Sequence, residues 1–162
     1  MRSMTQILAT IALLAGLLAC AATAQDKKKG RDSSDVVKTT AKADKLDADR
    51  KQIVTVTLAI DRDWHVYANP VGLEDLQSAE TVVEISGKNK PLSVKIAYPK
   101  GKLQKDEVVG DYSIYEGKVE IKATVQRDKG DNGPLEVKLR FQACSDVTKT
   151  CLLPATVKLS VE

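Results

Sequence analysis

Two cysteines, Cys144 and Cys151, bracket a six-residue polar stretch in "FQACSDVTKTCLLP" (141–154), and the chain of 162 residues has only one other, Cys20. Such a pair can be a structural staple, a working redox couple or half of a metal site. Metal binding is poorly supported, because His65 is the only histidine and no C-x-x-C pair exists. Neither a metal nor any other cofactor is called for. A disulfide across so short a loop stabilises by roughly 2.5 kcal/mol in the chain-entropy model, helpful but not obligatory for a domain of this size. Staple and redox couple both stay open on the residues alone.

The compartment bears on that choice, and the N-terminus speaks to it. "MRSMTQILATIALLAGLLACAATAQ" carries an early positive charge at Arg2, an apolar run from Ile7 to Leu18 and small residues around a cut. It reads as a secretory signal peptide over 1–24, too short and wrongly flanked for a spanning helix. Ala22-Thr23-Ala24 fits an A-x-A cleavage site, whereas Leu17-Leu18-Ala19-Cys20 also reads as a lipobox that would make Cys20 the acylated N-terminus. Either way the mature chain is expected to be periplasmic or otherwise extracytoplasmic, where disulfides persist, and Cys20 is withdrawn from thiol chemistry. No further apolar run of spanning length follows, so the only membrane contact expected is a lipid anchor at Cys20.

The formal charge of +3 arises from 25 basic and 22 acidic side chains, interleaved along the chain. The short cluster Lys27-Lys28-Lys29 reads as a solvated linker, and no nucleic-acid partner is expected. Residues 25–34, "QDKKKGRDSS", lack apolar side chains and read as a flexible tether.

From residue 35 onward the pattern has period two. Val54, Val56, Leu58 and Ile60 alternate with small or polar residues; so do Leu92, Val94, Ile96 and Tyr98, then Val119, Ile121, Ala123 and Val125. Leu135, Val137, Leu139 and Phe141, and finally Val157, Leu159 and Val161, repeat the theme. Each run predicts a half-buried strand with one wet face. "VVKTTAKA" from Val36 and "TVVEI" from Thr81 add two more, while Leu73 to Ser78 suggests one short helical turn. About seven short antiparallel strands imply an all-β, immunoglobulin-like sandwich over 35–162. A core disulfide of that fold joins cysteines far apart in sequence, which these are not. Parity adds that Leu135, Val137, Leu139, Phe141 and Ala143 share one face, so Cys144 is expected to point out of the core.

Three stretches resemble the N-terminal periplasmic domain of the thiol:disulfide interchange protein DsbD. "DRDWHVYANP" is similar to its turn and aromatic strand, "YPKGKLQKDEVVGDYSIYEGKVEI" to its acidic loop and following strand, and "LRFQACSDVTKTCLLP" to its active-site hairpin. The resemblance implies an immunoglobulin-like domain that passes electrons by thiol–disulfide exchange, taking them from a thioredoxin-like protein or membrane electron carrier and giving them to oxidised periplasmic clients. Cys144 and Cys151 would then be the redox pair, with Cys151 forming the mixed disulfide. Asp106 and Glu107 would lie against the disulfide in a cap loop, with Val108 over it in place of the family's frequent aromatic. The six residues between the cysteines make a longer loop than the family usually has. The family's full-length proteins continue into membrane and thioredoxin-like domains, so a chain ending at Glu162 is expected to find its reductant in trans. His65 and Tyr67 would neighbour the cysteines in the family's arrangement. By pattern alone Trp64 and Tyr67 read as packing residues and His65 as a solvent-facing strand histidine.

Overall fold

The computed structural model describes residues 31–162. The expected signal peptide (1–24), with the expected cleavage or lipobox signals including Cys20, and residues 25–30 of the expected tether lie outside the described residues.

Twelve strands follow in order among the described residues: β1 (Val37–Ala43), β2 (Lys51–Ile60), β3 (Trp64–Tyr67), β4 (Val82–Gly87), β5 (Ser93–Ala97), β6 (Lys102–Gln104), β7 (Tyr112–Tyr115), β8 (Lys118–Gln126), β9 (Leu135–Phe141), β10 (Ala143–Ser145), β11 (Thr150–Cys151) and β12 (Ala155–Val161). Every strand pairing is antiparallel, in three ladders ordered β1-β2-β8-β5, β12-β9-β4 and β11-β10-β3-β7-β6. The core is one cluster in which the alternating faces of β2 (Val54, Val56, Leu58, Ile60) and β8 (Val119, Ile121, Ala123, Val125) meet Leu135, Val137, Leu139 and Phe141 of β9. Side chains alternate across a strand, so a period-two sequence buries every second residue and leaves the rest wet. The chain therefore forms the all-β, immunoglobulin-like sandwich its periodicity implies. The turn expected near Leu73 is a short 3-10 helix, Glu74–Ala79.

Two expectations need correcting. Asp32 to Ser34, read from composition as the end of a tether, belong to the fold. Asp32 forms a parallel bridge with Leu153, and the fully buried Ser33 hydroxyl donates to the Leu153 carbonyl at 2.8 Å while accepting the Ala143 N–H at 2.8 Å. Polarity misled here because a serine can be buried once its hydrogen-bonding capacity is met. The second concerns β5, whose Leu92 and Val94 stay exposed although they alternate like core residues. β5 is the edge of its sheet, and only Ile96 and Tyr98 pack against the core.

Candidate functional site

β9 continues past Gln142 into β10, carrying the chain from the core to one end of the sandwich. There β10 pairs with β3 (Ala143↔Val66, Cys144↔His65) and with β11 (Cys144↔Cys151, Ser145↔Thr150). Ala143 and Val66 are core residues. Their neighbours Cys144 and His65 therefore lie on the opposite face, and His65, Cys144 and Cys151 form a row across three adjacent strands. Cys144 faces out of the core, as the parity of β9 predicts.

Cys144 and Cys151 are joined in a disulfide with their Cα atoms 4.0 Å apart. The adjacent backbone bond runs from the Leu152 N–H to the Ala143 carbonyl at 2.9 Å. That places the cysteines at a non-hydrogen-bonded pair, where antiparallel strands bring opposite side chains closest. The connecting turn is organised by Ser145, whose hydroxyl accepts the N–H groups of Val147 (3.3 Å) and Thr148 (3.2 Å), and by Lys149 in the left-handed region at φ 53°. Serine hydroxyls commonly organise turns in this way.

The two sulfurs have different surroundings. Cys151 is exposed, whereas Cys144 is only 5% exposed. Pointing out of the core did not leave Cys144 open to water, because the outer face of β10 is itself covered. The Tyr67 hydroxyl donates to Cys144 Sγ at 3.6 Å. Burial, then the charges of Tyr112 and Asp146, push the Tyr67 hydroxyl above its ordinary value, so it keeps its proton at neutral pH and remains a donor. His65 is covered in the same way: it is 4% exposed rather than solvent-facing, and its Nδ1 lies 3.2 Å from Asp146 Oδ2. Its ring meets that of Tyr67 edge-on at 5.9 Å between centroids.

A hollow of about 190 Å³ gathers these groups: His65, Tyr67, Asp106, Tyr112, Cys144, Ser145, Asp146, Lys149 and Cys151 line it. The loop carrying Asp106 is held over this end by two features. Gly101 has no room for a side chain, since a Cβ there would sit 2.7 Å from Ala68 Cβ and 2.9 Å from Ser113 Cβ, and that close approach lays β6 against the sheet. The Asp106 carboxylate then accepts the N–H groups of Val108 (2.8 Å) and Val109 (3.0 Å), closing the loop on itself. These two backbone bonds hold the Asp106 carboxyl below its ordinary value, with the nearby Lys149 adding to the effect.

Of the expected cap loop, only Asp106 reaches the hollow. Glu107 is exposed and does not line it, and Val108 is 92% exposed, so it is no lid. The turn that Asp106 organises directs the Val108 side chain to solvent. Several lining residues went unremarked in the sequence. Asp146 and Lys149 lie between the cysteines, and proximity to Cys144 was the available signal. Tyr112 shares β7 with Ile114 and sits two residues from it, so strand alternation offered a clue. Ser33 carried no signal, being brought to the hairpin from more than a hundred residues away. Among the described residues no group of three or more histidine, cysteine, aspartate or glutamate side chains is arranged to hold a metal.

An immunoglobulin-like sandwich that keeps its cysteine pair off the core, on an end hairpin with one cysteine exposed, has the arrangement that thiol–disulfide exchange requires. Residues 34–162 match the family described as thiol:disulfide interchange protein DsbD, N-terminal, and the chain belongs to that family. Domains of this family are extracytoplasmic. Among solved structures the chain is similar to the reduced DsbD N-terminal domain of Neisseria meningitidis, at 19% identity over 78% of this chain and 84% of that one, with a TM-score of 0.52. It is also similar to the N-terminal periplasmic domain of ScsB from Proteus mirabilis, at 17% identity over 78% of this chain, with a TM-score of 0.57. The match spans 46%, under half, of the ScsB chain. At these identities the likeness is one of fold. No curated protein sequence matches significantly.

Proposed function

We propose that this domain passes reducing equivalents between a thioredoxin-like protein or membrane electron carrier and oxidised client proteins, through the Cys144–Cys151 pair. The observation that carries the reading is the asymmetry of the sulfurs: Cys151 is exposed and Cys144 buried. Exchange requires in-line attack of a thiolate on one sulfur while the other departs. An incoming thiolate reaches Cys151, and Cys144 leaves into a site with a hydrogen-bond donor waiting at Tyr67. Cys151 thus forms the mixed disulfide and Cys144 resolves it. Val108, Val109 and Val147 are exposed on the two loops that flank the hollow, and they supply an apolar rim on which a partner can exclude water from the exchange. Secretion by the N-terminal signal, or anchoring through an acylated Cys20, would deliver the domain to the compartment where such partners work.

The test is a trapping experiment. A Cys144→Ala variant whose Cys151 is first converted to a mixed disulfide with a small aromatic thiol, then mixed with a reduced thioredoxin-like protein lacking its own resolving cysteine, should accumulate a covalent adduct mapped to Cys151 as the aromatic thiolate departs. In the unaltered protein, mild native reduction should make Cys151 the faster cysteine to alkylate. If both cysteines react only after unfolding, the disulfide is a staple and the domain is a non-catalytic interaction module.

A further inference from the structure

The geometry points to a further catalytic group: we infer that His65, held by Asp146, is the proton donor and acceptor for the buried Cys144 thiol. The inference rests on the exchange reading above and adds a residue role to it. Three observations carry it. His65 stands directly opposite Cys144 in the β3–β10 pair, so the two side chains share a face at a cross-strand separation of roughly 5 Å between Cβ atoms. Its Nδ1 is engaged by Asp146 Oδ2 at 3.2 Å, while Nε2 makes no hydrogen bond among the described residues. And His65 is buried on the face that carries the disulfide rather than in the core.

A histidine pinned at Nδ1 by a carboxylate has its tautomer set: in the neutral ring Nδ1 keeps the proton and Nε2 is the base. The order Asp146, His65, Cys144 follows the general logic of an oriented base beside a nucleophile. In the reductive direction a partner thiolate attacks Cys151 Sγ. The partner–Cys151 bond forms, the Cys144–Cys151 bond breaks, and its electron pair leaves on Cys144 Sγ. That thiolate takes the Nε2 proton of the imidazolium, leaving neutral His65 still bonded to Asp146. In the return direction Nε2 takes the Cys144 proton, the new thiolate attacks Cys151 Sγ, and the partner departs as its thiolate. A buried thiolate with no such neighbour would be costly, because burial disfavours the charged form.

Other titratable groups face the same space. Tyr67 lies on β3 itself, Tyr112 on β7, Asp106 on the cap loop, and Asp146 and Lys149 on the hairpin turn. Glu116, next along β7, is committed to Lys102 at 2.9 Å. Tyr67 and Tyr112 both titrate above their ordinary value, raised chiefly by burial, and so keep their protons at neutral pH. The Asp106 carboxylate is occupied by its own loop. That leaves His65 as the group on this face free to exchange a proton with Cys144; histidine side chains in general change charge between about pH 5 and 8.

The test measures reduction of the intact disulfide by a small dithiol across that pH range, with each rate divided by the thiolate fraction of the reductant. For the unaltered protein the corrected rate should fall as pH rises, through one ionisation. His65→Gln should give a flat profile, slower by roughly tenfold at the acid end. That is below the 10²–10⁴ typical of general acid–base catalysis, because a thiolate already leaves well. Superimposable profiles for the two proteins would overturn the assignment. Should His65→Gln fail to fold, Asp146→Asn carries the test, since its side chain is half exposed. Losing the carboxylate leaves the ring without its anchor and should slow reduction at the acid end toward the His65→Gln rate, and an unchanged profile overturns the inference equally. The small dithiol needs no protein partner, so the two readings fail separately. If a thioredoxin-like protein cannot reduce the domain while the dithiol profile keeps its His65-dependent ionisation, the electron-transfer role falls and the proton role stands.

Discussion

The two ends of the sandwich put their buried charged and titratable groups to different uses. β2 and β8 run between them, from Ile60 and Lys118 near the cysteine hairpin to Lys51 and Gln126 at the far end. Beyond Gln126, Arg127 is buried with Asp131 and every guanidinium nitrogen is occupied. Nε donates to Asp131 Oδ2 at 3.1 Å, one terminal nitrogen donates to Gln52 Oε1 at 2.9 Å, and the other reaches Asp131 Oδ1 at 3.0 Å and the Gly133 carbonyl at 2.5 Å. Among the described residues the buried side-chain nitrogen left without a partner is also at this end, Arg50 Nε, while the terminal nitrogens of Arg50 donate to Asn132 Oδ1 and to the Asp128 and Asp131 carbonyls. At the cysteine end His65 is also buried, with Nδ1 on Asp146 and no hydrogen bond at Nε2 among the described residues, and Cys151 is exposed. The far end uses its charges to hold loops in place, and the cysteine end sets titratable groups beside a cleavable bond.

The sharpest way to break this contrast is to remove the sulfurs. Cys151→Ala should abolish exchange altogether, and the double change Cys144→Ala, Cys151→Ala should still fold, because the disulfide contributes only about 2.5 kcal/mol against a typical total of about 5 to 15. Circular dichroism at 25 °C would report an intact β-sheet; an unfolded double variant would make the disulfide a structural staple. The far end should respond in reverse. Arg127→Leu leaves Asp131 buried without its cation and should lower Tm by roughly 10 °C, with dithiol reduction rates unchanged.

Acid sharpens the same comparison. Arg127, as the hydrogen-bond donor to its side chain, holds the Asp131 carboxyl below its ordinary value. A depressed folded-state value means stability is present above the unfolded carboxyl value of about 3.9 and is lost as pH falls through the lower folded one. Asp131→Asn should therefore blunt the acid arm of a stability-versus-pH curve, measured by denaturant titration between about pH 2 and 5, while leaving the disulfide's reactivity alone.

The smallest effects belong to the cap loop. A carboxylate near a thiol disfavours its thiolate, so Asp106→Asn should lower the thiol pKa of the reduced pair and speed its reaction with a small disulfide about threefold at pH 7. The amide keeps an acceptor for the Val108 and Val109 N–H groups, so the loop itself should persist. Glu107→Gln, at an exposed position outside the hollow, should change neither. Alkylation titrations of the two variants separate the carboxylates, and equal effects would mean that the loop sits differently over the sulfurs.

Much of the fold was legible because its information is local. Val54 to Ile60 and Leu135 to Phe141 write their buried face in every second letter, and antiparallel pairing needs no more than that. The edge strand was misjudged because alternation marks a face without saying whether a second layer lies above it, and nothing covers Leu92 or Val94. Within the site the cysteines stood out by their number and spacing, whereas Asp106 was singled out only by the family resemblance, its own stretch reading as an ordinary solvated loop. Val108 could not be placed, since the direction of its side chain follows from the turn that Asp106 caps. His65 read as wet because a polar residue in an alternating strand normally is.

Residue order alone determined that this chain would make an antiparallel sandwich, that Cys144 and Cys151 would flank a short hairpin connection after β9, and that Cys144 would face away from the core. Strand periodicity and a short polar loop are enough for those, since each depends on neighbours a few residues away. The tertiary structure decided that the outward face would nonetheless be covered at Cys144 and open at Cys151, and that Ser33 would be threaded beneath the hairpin. It also decided that His65 would stand opposite Cys144 across the β3–β10 pair with Asp146 on its Nδ1. Those outcomes depend on which strand lies next to β10, and burial is a property of the assembled neighbours rather than of the residue that is buried.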